Sequence, residues 1–171
     1  MDISVKRIGL FAASLWVLTA CAVTEVNQAP AKPAYETYIH QGQQFTLPVY
    51  TDMNGQTVDF TQSKNRKLMV YFATWCSDSQ RLVKQLMASD YVNNSMVDII
   101  AIGREENNEA LLKFAKEYST SFPLVADVDR AYYKKIANAG IPRIIVLDEN
   151  NKIIKTIIGE DPNSIGLISW E

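Results

Sequence analysis

The sequence of 171 residues is poor in the side chains that most often bind transition metals. It contains two cysteines, Cys21 and Cys76, and one histidine, His40. Two cysteines are too few for a disulfide-stapled scaffold or a structural zinc site built from cysteine, and a single histidine does not make a histidine-rich site. We therefore predict no metal and no cofactor. The open question is what the two cysteines do.

An excess of charge of one sign is also missing. The chain has 17 Lys and Arg residues against 19 Asp and Glu residues, and 47% of its residues are hydrophobic. Such a near-neutral chain lacks the basic surface that non-specific nucleic-acid binding requires. Its seven glycines form no phosphate-binding loop. The composition is that of an ordinary globular protein that does not bind nucleic acid.

The N-terminal region has no apolar run long enough to cross a bilayer. Lys6 and Arg7 precede residues 8–20, which carry no charge. A spanning helix needs about 20 apolar residues, whereas this shorter run fits the apolar region of a signal peptide. Leu18-Thr19-Ala20-Cys21 then resembles the bacterial lipobox, whose cysteine is lipidated and becomes the first residue of the mature protein. We predict a lipoprotein signal peptide over residues 1–20 and a lipid on Cys21. The alternative is an uncleaved N-terminal anchor.

The remaining chain divides into a tether and one domain. Residues 21–42 include Pro30 and Pro33, two glutamines and no apolar periodicity, which is typical of a flexible linker. His40 lies in this tether, where we expect it to be a surface residue. Residues 43–171 are enough for one core and too few for two.

The domain alternates patterns typical of strands and helices. Asn54-Gly55 is a strong hairpin signal, and the run 104–109 is predicted to be a solvated loop and helix start. The order of elements predicts an α/β fold with a mixed central sheet and helices on both faces. The predicted strands cover 45–50, 57–60, 67–74, 97–102, 122–126, 144–147 and 153–158, and the helices 77–89, 107–118, 129–139 and a short one after Asp161-Pro162.

Three motifs in this order resemble those of a known family. They are Phe72-Ala73-Thr74-Trp75-Cys76, Ser121-Phe122-Pro123-Leu124 with Asp127, and Gly140-Ile141-Pro142 followed by residues 143–148. Over about residues 43–171 the chain resembles thioredoxin-fold proteins of the redoxin class, in particular the membrane-anchored TlpA and ResA type of the bacterial envelope. The resemblance implies a thioredoxin-like three-layer sandwich with an N-terminal β-hairpin.

The sequence departs from this family at the second cysteine. The family uses Cys-x-x-Cys, but here the motif reads Cys76-Ser77-Asp78-Ser79. Ser79 cannot attack a mixed disulfide to release it, and a lipidated Cys21 has no free thiol. Cys76 is therefore the candidate nucleophile, and Ser79 is expected to donate a hydrogen bond to its thiolate. A helix start favours a thiolate, Asp78 opposes it, and Arg81 is expected to offset Asp78.

The resemblance also implies a docking edge. In the family the proline corresponding to Pro142 is cis and lies opposite the cysteine, and the backbone of the preceding residue, here Ile141, pairs with an extended substrate segment. Trp75 is expected to form the apolar rim of the same groove. For Arg143 two alternatives remain open, a solvated side chain or a contact with a partner.

Two functions are consistent with these residues. The first is a lipid-anchored monothiol oxidoreductase that exchanges disulfides with cysteine-containing envelope proteins or low-molecular-weight thiols. The second is a binding module whose groove holds a peptide or protein without covalent chemistry. In both, we expect a monomer attached to the extracytoplasmic side of a bacterial membrane through the lipid on Cys21. An aspartate directly after the lipidated cysteine resembles an inner-membrane retention signal, and this chain has Ala22 at that position. If the cell has two membranes, the outer membrane is therefore favoured.

Overall fold

A computed structural model of the protein describes residues 35–171. The predicted signal peptide, Cys21 and the tether up to residue 34 lie outside these residues. Within the described part, no helix is both long and apolar enough to span a bilayer.

A five-stranded mixed sheet forms the centre of the domain. Its strands are β3 (Arg66–Phe72), β4 (Val97–Arg104), β5 (Leu124–Asp127), β6 (Arg143–Leu147) and β7 (Ile153–Ile158), in the order β5-β4-β3-β6-β7. Strand β3 pairs in parallel with β4 and antiparallel with β6. Its residues after Arg66 are all buried, because layers cover both faces of the sheet. The predicted mixed sheet is confirmed.

One face of the sheet carries the two α-helices. They are α1 (Ser77–Met87) and α2 (Asn108–Tyr118). Each turns a narrow apolar stripe to the sheet, as helical spacing requires. Leu82 and Leu86 of α1 and Leu111 and Phe114 of α2 pack with Val70 and its neighbours in one core cluster.

The other face is covered by shorter elements. The hairpin of β1 (Tyr50–Thr51) and β2 (Thr57–Val58) forms as predicted, and its turn places Gly55 at a φ of +80°. A 3-10 turn at Tyr133–Lys135 replaces most of the predicted helix 129–139. Arg130 there has a φ of +65°, which interrupts an α-helix. The last predicted helix is likewise a 3-10 turn, Ser164–Leu167.

The described part of the predicted tether is bound to the domain. The Tyr38 amide donates to the Ile136 carbonyl at 2.8 Å, and the Gly42 amide donates to Ile153 at 2.7 Å. His40 is exposed. Ordered packing therefore begins before the predicted boundary at residue 43. Backbone hydrogen bonds and a few separate side-chain contacts, such as that of Ile39 with the core, hold the segment, so it shows no apolar periodicity.

Candidate functional site

Cys76 lies where strand β3 passes into helix α1. It occupies the N-cap position of the helix with an extended backbone, and its amide donates to the Ala73 carbonyl at 3.2 Å. Its side chain is a half-buried free thiol, with Sγ 3.8 Å from the carbonyl oxygen of Ile141. The Cys76 side chain forms no cap hydrogen bond with the first turn of α1. Its N-cap position nevertheless places it at the end of the helix where the dipole favours negative charge.

Ser79 is fully buried one turn into α1. Its Oγ accepts a hydrogen bond from the Ala73 amide at 3.2 Å. The predicted hydrogen bond from Ser79 to Cys76 is not formed in the described structure. A hydroxyl that accepts one bond keeps its own proton, so Ser79 remains able to donate. Its observed contact ties the first turn of α1 to the end of β3.

Asp78 and Arg81 form an ion pair on the first turn of α1, as predicted. The Arg81 guanidinium also donates to the carbonyls of Gly159, at 3.2 Å, and Glu160, at 2.8 Å. The Gly159 amide in turn donates to the Pro142 carbonyl at 2.7 Å. Arg81 thus links the helix that begins at Cys76 to the strand that supports Pro142.

Ile141 and Pro142 face Cys76 across the site. The bond between them is cis, as the resemblance implied. The Ile141 carbonyl points at Sγ, and the Ile141 amide has no hydrogen-bond partner within residues 35–171. This peptide therefore offers a free donor beside the thiol. Trp75 is 66% exposed next to Cys76, so its ring is an uncovered apolar surface.

Arg143 is not solvated. It is 3% exposed and binds the carbonyls of Ala139 and Gly140 and the hydroxyl of Thr37. Of the two alternatives open from the sequence, the solvated side chain is therefore wrong. Arg143 lies beneath the loop that carries Ile141.

Glu106 is not among the predicted site residues, and the run 104–109 that contains it is predicted to be solvated. It is nevertheless only 5% exposed. Its Oε1 accepts from both the amide and the hydroxyl of Thr74, each at 2.7 Å. Gln80 completes the clamp by donating to the Thr74 carbonyl at 2.8 Å. Thr74 immediately precedes Trp75 and Cys76, so this clamp fixes the start of the site. Its place in the chain could have indicated a role in the site. Glu106 follows the carboxyl end of β4, which is parallel to β3, and sites in such sheets lie at the carboxyl ends of the strands.

Buried tyrosines lie in the core next to the residues that form the site. Tyr71 lies beside Arg143 in the β3–β6 register, and its ring meets that of Tyr133 edge-on at 6.1 Å. Desolvation by burial, followed by the neighbouring Tyr50, raises the pKa of Tyr71 well above its usual value. Burial raises the pKa of Tyr50 as well. Both phenols therefore stay neutral at physiological pH.

Comparison with known proteins gives consistent matches. Residues 37–166 match the family model described as Redoxin. The chain is 26% identical over 114 residues to a thiol-disulfide oxidoreductase ResA of Bacillus subtilis, covering 65% of this chain and 63% of that protein. A ResA of Bacillus cereus is 25% identical over 115 residues, with 66% of each chain covered. The chain thus spans just under two thirds of the length of these curated relatives.

Solved structures show the same fold. A putative protein disulfide isomerase from Bacteroides thetaiotaomicron aligns with a TM-score of 0.71 at 22% identity, covering 77% of this chain and 86% of that one. A putative thioredoxin from Neisseria meningitidis aligns with a TM-score of 0.58 at 19% identity, covering 70% and 83%. These likenesses confirm the predicted thioredoxin-like fold.

Proposed function

The chain belongs to the Redoxin family, and from that premise we propose that it carries out thiol-disulfide exchange through one cysteine, Cys76. The observation that carries the proposal is the contact between the Cys76 thiol and the Ile141 peptide, in which Sγ lies 3.8 Å from the carbonyl oxygen. A free thiol at a helix start, beside a backbone amide that has no partner in residues 35–171, suits a peptide that docks in an extended form and offers a sulfur.

The reaction needs only one thiol of the protein. The Cys76 thiolate attacks one sulfur of a partner disulfide, the partner's S–S bond breaks, and the other partner sulfur leaves as a thiolate with the electron pair. The product is a mixed disulfide on Cys76. A thiol of low molecular weight or of the partner then attacks this bond and releases the Cys76 thiolate. Ser79 has no sulfur to perform that second step, so turnover depends on the external thiol.

We place this activity in the bacterial envelope, with the protein held by a lipid on Cys21. The support is the lipobox-like sequence that ends at Cys21 and the uncharged run before it. Its substrates are then cysteine-containing envelope proteins and small thiols, and it acts as a monomer.

The test uses the full chain with Cys21→Ser, so that Cys76 is its only thiol. The protein is incubated with oxidised glutathione and with a peptide disulfide, and the mixed disulfide is followed by intact mass. The comparison is a free peptide of residues 70–82, which has the same cysteine without the fold. We expect the folded protein to react at least about tenfold faster with the peptide disulfide, and reduced glutathione to regenerate the thiol.

Cys76→Ser is the control and should form no adduct. If the folded protein reacts no faster than the free peptide, the fold does not promote exchange. The proposal would then be wrong, and the non-covalent binding module would be the better description of the groove.

A further inference from the structure

The first described residues form a short strap along the loop that leads to Ile141. We call residues 35–38 the N-terminal strap. Thr37 pairs with Ala137 in an antiparallel bridge. On one side the Tyr38 amide donates to Ile136 at 2.8 Å, and on the other the Asn138 amide donates to Glu36 at 3.2 Å. The strap therefore pairs with the backbone that immediately precedes the docking edge.

The strap also contacts that loop through Tyr35. Gly140 has a φ of +87°, and a Cβ on it would lie 2.9 Å from Cδ2 of the Tyr35 ring. The ring therefore lies directly on the Gly140 backbone, a position that a larger residue would not tolerate. Gly140 is bonded covalently to Ile141, so the ring packs one residue away from the unpaired amide.

Arg143 joins the strap to the loop from inside the domain. Its Nη1 donates to Thr37 Oγ1 at 2.8 Å, and its Nε donates to the Gly140 carbonyl at 3.0 Å. The same carbonyl accepts from the Tyr133 hydroxyl. Within residues 35–171 Arg143 has no ion pair, so a buried guanidinium is balanced by neutral oxygens alone. Such a group is stable only when all its oxygen partners are in place, and its planar fork fixes their relative positions.

We propose that Arg143 is a positioning residue for the docking edge and that the N-terminal strap completes this edge through Thr37. The Thr37 hydroxyl orients the guanidinium, the guanidinium fixes the Gly140 carbonyl, and the next peptide presents the Ile141 amide beside Cys76. The strap thereby determines how well an extended peptide binds, without touching the thiol. This inference rests on the proposed exchange reaction and names the residues that prepare its docking surface.

The test separates docking from thiol reactivity. It uses the full chain with Cys21→Ser and a matched pair of variants, Thr37→Val and Thr37→Ser. Valine keeps the shape and removes the acceptor, whereas serine keeps the hydroxyl. Two reactions of Cys76 are timed. Iodoacetamide is small and needs no docking, and a linear peptide disulfide needs the edge.

We expect Thr37→Val to slow exchange with the peptide about tenfold, because one buried guanidinium donor loses its acceptor. Its reaction with iodoacetamide should stay within about twofold of the parent. Thr37→Ser should restore peptide exchange to within about twofold. Hydrogen exchange gives a second measurement that does not depend on activity. The amides of Tyr38 and Asn138, which are hydrogen-bonded between the strap and the loop, should exchange faster in Thr37→Val, and those of α2 should not.

Each other outcome is decisive. If Thr37→Val exchanges with the peptide like the parent, or if Thr37→Ser is equally slow, the inference is wrong while the exchange function stands. Faster hydrogen exchange throughout the domain in Thr37→Val would show a general loss of stability and would also overturn it. If the parent reacts with the peptide no faster than the unfolded 70–82 control, the exchange function itself fails and this inference with it.

Discussion

The two sides of the site are held in different ways. On the thiol side, Cys76 is supported by residues close to it in sequence, since Ser79 bonds Ala73 and Gln80 bonds Thr74. On the docking side, Ile141 depends on Arg143 and on Thr37, and Thr37 is 106 residues away from Arg143 in sequence. The thiol side is thus mainly a local structure, to which Glu106 and Arg81 add distant contacts. The docking side forms only when residues distant in sequence have come together in the folded chain. It should therefore be the easier side to disturb by a mutation that leaves Cys76 in place.

The largest effect should come from restoring a second thiol on the local side. Ser79→Cys places a sulfur one turn from Cys76, where it can attack a mixed disulfide. We expect the variant to reduce insulin with an external reductant at least about tenfold faster than the parent, measured by precipitation of the insulin B chain.

The control for this gain is Cys76→Ser combined with Ser79→Cys, which should be inactive because the half-buried first thiol is gone. If Ser79→Cys folds and still does not reduce insulin, the thiol side has diverged by more than this one residue. Its contrast with the docking side would then need a different explanation.

The next largest effect should follow from breaking the clamp on Thr74. Glu106→Ala leaves the amide and hydroxyl of Thr74 without their acceptor, and each such loss costs about 1–3 kcal/mol when the group is buried. Because Thr74 is only half-buried, we expect the two losses together to lower the free energy of unfolding in urea by about 1–3 kcal/mol. Because Cys76 is no longer fixed at the start of α1, its reactions with iodoacetamide and with the peptide disulfide should both slow.

Glu106→Gln is the matched control, since its amide oxygen accepts the same bonds. It should restore most of both rates. An alanine variant that slows the peptide reaction alone would contradict the division between the two sides, because that pattern is the one expected for Thr37→Val.

The same difference between local and distant contacts explains which features could be predicted from the sequence. Local patterns identified the mixed sheet, the hairpin and the position of Cys76, because apolar periodicity and turn residues report the neighbouring backbone. The helix predicted over 129–139 was wrong, since the positive φ of Arg130 is not visible in a pattern of apolar residues. The burial of Glu106 was not predicted and the place of Arg143 was left open for one reason. A charged residue appears solvated in a sequence, and its burial depends on polar partners that only the closed chain brings to it.

A smaller effect on stability should appear at alkaline pH, caused by the buried Tyr71 next to Arg143 on the docking side. Burial raises the pKa of Tyr71, so the native state keeps a proton that the unfolded chain loses above pH about 10. The native state then binds more protons, and stability falls as pH rises through that value. We expect Tyr71→Phe to reduce this loss by up to about 1.4 kcal/mol per pH unit, measured by urea denaturation between pH 9 and about 11.

Tyr38→Phe is the control because its side chain is exposed, and it should leave the pH dependence of stability unchanged. If Tyr71→Phe has the same slope as the parent above pH 10, the buried phenol does not contribute to alkaline unfolding. The tyrosine layer would then support the docking side by packing alone.

The smallest effect is expected at the ion pair on α1. Asp78 is partly exposed, and its partner Arg81 keeps two bonds to the carbonyls of Gly159 and Glu160 without it. Pairs of this kind contribute about 0–1 kcal/mol, so Asp78→Asn should leave the free energy of unfolding within about 1 kcal/mol of the parent. Arg81→Met removes the carbonyl bonds as well and should slow peptide exchange more than Asp78→Asn does. Because Arg81 connects the helix of Cys76 to the strand behind Pro142, equal effects of the two variants would show that the two sides of the site are independent.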